Sequence, residues 1–319
     1  MKKKTIEKTK KKPTDLIYKK DAFDDYVLWK SMPSKLLGST EERLKDAGFK
    51  DEYLMELMSL KNKTKNLIFF FLNIFFFWHP RKASILMYHS VDDNEVVFNV
   101  WPEDFEGQMR YLKKKNYKII RLKELIKKIK NSERIDKKTV VLTLDDGFKD
   151  NYTNAFPLLE KYNFPATIFL PTAYIGKEMN NSQNIPLNIM TWNEAREMEN
   201  SGLVDFAFHT HTHPEMKNIN LENFAEELRE SEKLLAENLK NPLKIFSYPK
   251  GRFKPEQVEY IKKTGYEAAV GTGEGLVGAG DDLFFLKRNF IYSKGGLSQF
   301  KGKLGPVVEI YNFLKIWKK

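Results

Sequence analysis

The sequence predicts an α/β protein: a distorted (β/α) barrel of about seven parallel strands, behind an N-terminal basic and helical extension. Three observations predict it. From Ala83 onward, short apolar runs alternate with amphipathic helical segments. The runs are four to six residues long and read as buried strands. Polar residues capable of chemistry follow several of these runs directly, where barrels carry their active sites. A doubly wound open sheet is the alternative reading of the same alternation.

Residues 1–66 are expected to form a basic tail and a helical extension. Residues 1–20 hold nine lysines against Glu7 and Asp15, more than half of the formal net charge of +11. Residues 21–60 have helical character interrupted by Pro33 and Gly38, with Ser39-Thr40-Glu41-Glu42 resembling a helix start. Residues 67–82 form an apolar aromatic segment that opens with Leu67–Trp78 (LIFFFLNIFFFW). Lys61, Lys63 and Lys65 precede that run, and Arg81 and Lys82 follow it. As a helix the run spans about 18 Å, short of the ~30 Å hydrocarbon core of a bilayer. It is therefore either a packed helix or strand, or an interfacial anchor at a membrane surface.

The barrel is expected over residues 83–300, with a C-terminal helix or tail over 301–319. Ser84–Tyr88 reads as a buried strand and Pro102–Asn116 as a helix with Phe105, Met109 and Leu112 on one face. Tyr117–Ile120 is strand-like and Leu122–Ile129 helical. Thr139–Leu144 (TVVLTL) is the clearest strand, followed by a helix around Ala155–Tyr162, then Ala166–Leu170 as a strand. Trp192–Ser201 is a helix closed by Gly202, before the strand Leu203–Phe208 and the long helix Leu221–Leu239. Ile245–Tyr248 and Ala268–Gly271 complete the strands, with Pro255–Thr264 helical between them.

Composition narrows the function. There is no cysteine, which excludes disulfide scaffolds, thiolate metal sites and cysteine nucleophiles. The positive charge is concentrated in a tail and no nucleic-acid-binding motif accompanies it, so nucleic acid is not an expected partner. No ordinary signal peptide is evident, because Met1–Lys20 contains no apolar run. The sequence leaves localisation open, with the cytoplasmic face of the membrane, or a membrane-associated state, favoured by the basic tail and the apolar segment.

Four of the five histidines fall at strand ends: His89, His209, His211 and His213. Asp145-Asp146-Gly147 follows the strand Thr139–Leu144, and Pro249-Lys250-Gly251 follows Ile245–Tyr248. Two imidazoles and a carboxylate suit a divalent ion, zinc ahead of cobalt or nickel, with positions left for water. Adjacent residues of an extended chain point opposite ways, so one aspartate can bind the ion while the other stays free as a base. Metal-assisted hydrolysis is the reaction class that follows. Taken alone, Asp-Asp-Gly is usually a turn and a single histidine after a strand usually structural; it is their joint placement that argues for a site.

Thr143-Leu144-Asp145-Asp146-Gly147 resembles the T-F-D-D-G motif of the NodB-homology polysaccharide deacetylases, carbohydrate esterase family four. His209-Thr210-His211-Thr212-His213-Pro214 resembles their H-[ST]-x-x-H-P motif. The resemblance spans Ala83 to Phe290 and includes Leu86-Met87-Tyr88-His89, Asp150-Asn151-Tyr152, Phe169-Leu170 and Phe246–Gly251. Tyr88-His89 is similar to the branch that deacetylates poly-N-acetylglucosamine. The resemblance implies Asp145 as general base, Asp146, His209 and His213 as metal ligands, and His211 turned away. A competing pairing of His209 with His211 at strand spacing remains open.

Two departures from the family pattern matter. The arginine expected in the stretch read here as Ser247-Tyr248-Pro249-Lys250-Gly251 is absent, and Arg288 is the candidate to orient Asp145 in its place. The late histidine acid is also absent, so His89 is assigned as general acid, as in the poly-N-acetylglucosamine branch. Tyr248 and Lys250 are expected on the oxyanion and substrate side. The implied substrate is an N-acetylated glycan or sugar conjugate, releasing acetate. An O-acetyl polysaccharide esterase is the nearest alternative, and a non-catalytic glycan- or membrane-binding protein the alternative of another class.

Overall fold

An all-parallel sheet of eight strands organises the chain. In this computed structural model the described residues are 63–73, 80–94, 96–181 and 183–316. The expected tail and extension up to residue 62, and residues 74–79 of the apolar run, lie outside them. The elements are β1 (Ala83–Tyr88), α1 (Pro102–Lys114), β2 (Lys118–Ile119), α2 (Leu122–Lys130), β3 (Thr139–Leu144), α3 (Phe156–Tyr162) and β4 (Ala166–Leu170). A two-stranded antiparallel hairpin follows, β5 (Glu178–Asn180) and β6 (Pro186–Asn188). Then come α4 (Trp192–Asn200), β7 (Val204–Phe208), α5 (Leu221–Asn238), β8 (Leu243–Ser247), α6 (Pro255–Lys263), β9 (Ala268–Val270), β10 (Asn289–Phe290), α7 (Gly296–Lys303) and α8 (Val307–Ile316).

The sheet order is β10-β1-β3-β4-β7-β8-β9, with β2 pairing beside β3. The chain over residues 283–291 completes the curl. Ala269 N–H donates to Leu283 O, and Gly271 N–H to Leu286 O, on the β9 side. On the other side Ile291 N–H donates to Met87 O, and β10 pairs with β1. The result is the distorted (β/α) barrel that the sequence predicts.

Alternation along the strands explains how it is filled. Leu86, Tyr88, Val140, Leu142, Leu144, Ile168, Phe206 and Phe246 pack against Phe105 and Met109 of α1, Leu159 of α3, Met198 of α4 and Phe224 of α5. The residues between them point the other way. Ile85, Val141, Phe169, Ala207 and Ile245 meet Leu122, Leu125, Ile126 and Ile129 of α2, which covers the inner face at the strands' amino ends. β3 is buried along its whole length on both faces, as its run of β-branched residues and leucine requires. Thr191 and Glu194 form a reciprocal capping box that starts α4.

Residues 63–73 are helical. Phe69 is fully buried against α7, where a Cβ on Gly302 would sit 2.1 Å from its ring. Asn73 donates to Ser298 O at 3.0 Å, and Gln299 to Asn66 Oδ1 at 2.8 Å. Leu67, Phe70 and Phe71 remain about half exposed. Over residues 67–73 one face thus packs as a helix and another is open.

Candidate active site and metal centre

Strand pairing brings the polar residues together. Tyr88 pairs with Leu144, so His89 and Asp145 emerge side by side at the carboxyl ends of β1 and β3. Phe208 pairs with Leu170 and, across the next strand, with Phe246, which places His209 and Ser247 at the same level. By the period of two, His89, Asp145, His209 and Ser247 continue the inward-facing rows of their strands.

The chain then turns sharply. Asp146 has φ 70° and Gly147 φ 62°, and a Cβ on Gly147 would lie 2.3 Å from a Leu170 methyl. Glycine is needed there for both reasons. Thr210 (φ 65°), His213 (φ 54°) and Lys250 (φ 56°) are also left-handed. Four non-glycine residues in this conformation around one cluster of strand ends mark a place where local strain is held by the surrounding structure.

The turn separates the two aspartates. Asp146 Oδ1 lies 3.3 Å from His209 Nε2 and 3.4 Å from His213 Nε2, and one donor atom from each of the three falls within 4.8 Å of the others. Asp146 Oδ1 is buried and has no hydrogen-bond partner. His209 Nδ1 is 2.8 Å from Ser247 O, a pure acceptor, so the proton sits on Nδ1 and Nε2 presents its lone pair to the cluster. Burial pushes His213 down to about 4, against the pull of Asp146, and keeps that imidazole neutral. Burial opposes ionisation of Asp146, and positive charge on His213 and His209, when they are protonated, outweighs it and holds its carboxyl below the usual range. A buried carboxylate oxygen without a partner, facing two imidazole nitrogens, is a donor set that fits a divalent cation.

Asp145 is held apart from this cluster by Arg288, which is completely buried. The guanidinium grips both carboxylate oxygens at 2.6 Å, while Nε donates to Gly271 O at 3.0 Å. Ser247 Oγ accepts from Arg288 at 2.8 Å and donates to Asp145 at 3.3 Å. Burial works against the Asp145 charge, yet Arg288 and His209 hold its pKa below the ordinary value. Arg288 thus pairs with Asp145 from the far end of the sheet, where no arginine stands within 247–251.

His89 lies between the rings of Phe98 and Phe290, at centroid distances of 5.3 and 5.5 Å. Burial lowers its pKa, with Asp146 and Asp145 pulling the other way. His211 turns outward, its Nδ1 2.9 Å from Thr172 Oγ1, and it does not join the cluster. Tyr248 is buried, its hydroxyl donating to Phe284 O and its N–H to Val270 O, so both of its donors are engaged away from the site. The Lys250 side chain reaches Glu215 at 3.4 Å.

Glu227 of α5 has no motif to announce it. It accepts from the N–H groups of His211 and Thr212 and from the Thr212 hydroxyl, at 2.8, 2.7 and 2.6 Å, and so fixes the loop carrying His209 and His213. Its spacing of 15 residues from Thr212 has no meaning until α5 folds back on β7.

Comparison with known proteins gives the family. A family model described as polysaccharide deacetylase matches residues 132–269. The poly-β-1,6-N-acetyl-D-glucosamine N-deacetylase of Staphylococcus aureus (strain MRSA252) is 30% identical over 226 residues, which cover 66% of this chain and 75% of that protein. Among solved structures, the Streptococcus pyogenes deacetylase PplD in complex with acetate is 28% identical with a TM-score of 0.60, covering 70% of this chain and 96% of that one. A polysaccharide deacetylase from Bacillus cereus is 27% identical with a TM-score of 0.59, covering 70% and 69%. With motifs, fold and strand-end cluster all in agreement, this chain belongs to the polysaccharide deacetylase family.

Proposed function

We propose that this hydrolase removes acetyl groups from N-acetylglucosamine-type glycans, using a divalent ion, zinc ahead of cobalt or nickel, held by Asp146, His209 and His213. The observation that carries this reading is the division of labour between neighbouring aspartates: Asp146 faces two imidazoles with an unpartnered oxygen, while Arg288 clamps Asp145 separately. The poly-N-acetylglucosamine deacetylase of S. aureus supports the substrate class. A divalent ion at such a site polarises the acetamide carbonyl and lowers the pKa of water.

The chain's own residues do the rest. Asp145 accepts a proton from the attacking water as its oxygen bonds to the acetyl carbon. The N–H of Lys250, on its left-handed turn, is assigned to the developing oxyanion. His89 donates a proton to the sugar nitrogen as the C–N bond breaks, giving acetate and a free amine. Acetate release from N-acetylglucosamine oligomers, followed after chelation and after zinc add-back, tests this. Turnover should disappear on chelation and return with the metal; activity indifferent to chelation overturns the reading.

The exposed face of the helix over residues 63–73 supports a peripheral membrane contact as well. Leu67, Phe70 and Phe71 are 55%, 52% and 50% exposed, and no helix among the described residues is long and apolar enough to cross a bilayer. Aromatic side chains of this kind settle at the headgroup boundary, and the basic flanks favour anionic lipid. Replacing Leu67, Phe70 and Phe71 by Ser should abolish co-sedimentation with phosphatidylglycerol vesicles while deacetylation of soluble oligomers continues. Unchanged sedimentation argues against the contact.

A further inference from the structure

His89 raises a question that the metal cluster does not answer. Its Nδ1 is buried and has no hydrogen-bond partner, so no polar contact to that nitrogen orients the ring. Its ring neighbours, Phe98 and Phe290, are apolar and offer it no hydrogen bond. The backbone that carries it sets where the ring stands between those neighbours.

That backbone is fastened from one short stretch. Asp150 Oδ1 accepts from Val91 N–H at 2.8 Å and Oδ2 from Ser90 Oγ at 2.8 Å. Asn151 Nδ2 donates to His89 O at 2.7 Å, and Asn154 Nδ2 to Val91 O at 2.8 Å. All three residues lie just past Asp145-Asp146-Gly147: Asp150 immediately precedes a wide helical turn over Asn151–Ala155, and Asn151 and Asn154 lie within it. The segment that carries the base and a metal ligand thus also holds residues 89–91 in place. Burial raises the Asp150 carboxyl to about 6, against the hydrogen bonds from Val91 and Ser90, so an enclosed charge is kept here at a cost to folding.

We infer that Asp150, assisted by Asn151, is a positioning residue for His89: its carboxylate clamps Ser90 and Val91 and thereby aims the imidazole at the leaving nitrogen. The inference rests on His89 being the general acid. It predicts an effect that depends on the leaving group. An amide needs its nitrogen protonated, whereas 4-nitrophenyl acetate releases a stable phenolate without a donated proton. A displacement of about 1 Å in a catalytic group costs up to 100-fold.

The experiment measures kcat on N-acetylglucosamine oligomers and on 4-nitrophenyl acetate for the full chain carrying zinc, with metal content and Tm recorded for each variant. Asp150→Ala should lose about 10- to 100-fold on the amide and far less on the ester. Asp150→Asn keeps an acceptor for Val91 N–H and can donate to Ser90 Oγ, so it should recover most of the amide activity. Ser90→Ala, which removes one arm only, should move the same way by a smaller factor and serves if Asp150→Ala does not fold. Equal losses on both substrates, or no loss on the amide, overturn the inference. His89→Ala is the reference. If His89→Ala splits the two substrates and Asp150→Ala does not, positioning by Asp150 is wrong while the acid assignment stands. If His89→Ala gives no split, the acid assignment falls and the positioning falls with it.

Discussion

Asp145→Asn is expected to lower acetate release by about 10³-fold while the protein still binds its metal, because general base catalysis contributes roughly 10²–10⁴. The side chain keeps its size and one acceptor oxygen, and the three-residue cluster contains none of its atoms. What it loses is the capacity to take a proton. The variant also leaves Arg288 with a neutral partner in a fully buried setting, so some loss of stability should accompany the loss of turnover. Metal stoichiometry and acetate release measured on the same folded sample separate the two effects. Turnover within tenfold of the parent protein, or loss of the metal along with the activity, contradicts the division between Asp145 and Asp146.

Much of the fold was legible because it depends on local pattern. The buried runs of β1, β3 and β4, the helix α4 with its cap, and the long α5 each announce themselves through periodicity or turn chemistry. β10 has only two residues, and the β5–β6 hairpin has three residues a side around Asn181 and Asn184, so neither carries a period to detect. The sequence places a helix around Ala155–Tyr162, and the wide turn over Asn151–Ala155 extends it at its start. Its wider winding reflects tertiary demands, since Asn151 and Asn154 must reach back to His89 and Val91.

The site was legible to a different degree at each residue. Asp145, Asp146, His209 and His213 stand in compact motifs at strand ends, where chemistry and sequence coincide. Arg288 is 143 residues from Asp145, and only the curl of the sheet brings them together. Its candidacy came from a charge missing elsewhere. Tyr248 shows the opposite limit: a polar residue at a strand end whose donors both turn to the scaffold, which no spacing reveals. Glu227 and Asp150 act through contacts that exist only after folding.

Arg288→Gln should be the most damaging substitution outside the metal ligands. The guanidinium makes two hydrogen bonds to Asp145 and one each to Gly271 O, Ser247 and Thr143, and lies 5.4 Å from the centre of the Phe169 ring. Breaking a buried pair by removing one partner costs about 3–5 kcal/mol, a large share of the ~5–15 kcal/mol that holds a typical domain. The pH dependence identifies the cause. In the parent protein the folded pKa of Asp145 is depressed, so the stabilisation is present above the unfolded value of ~3.9 and is lost as pH falls through the folded value. Without Arg288, burial raises that pKa, and the carboxyl escapes its penalty by taking a proton. The difference in unfolding free energy between parent and Arg288→Gln should therefore be greatest near neutrality and shrink as the pH is lowered, while the acid limb of kcat/KM moves to higher pH. Denaturant titrations between pH 8 and pH 4 measure the first quantity and steady-state rates the second. Arg288→Lys should recover only part of either, since an ammonium cannot match the two-pronged grip. A difference that stays constant with pH would mean that Arg288 contributes packing against Phe169 and no charge to Asp145.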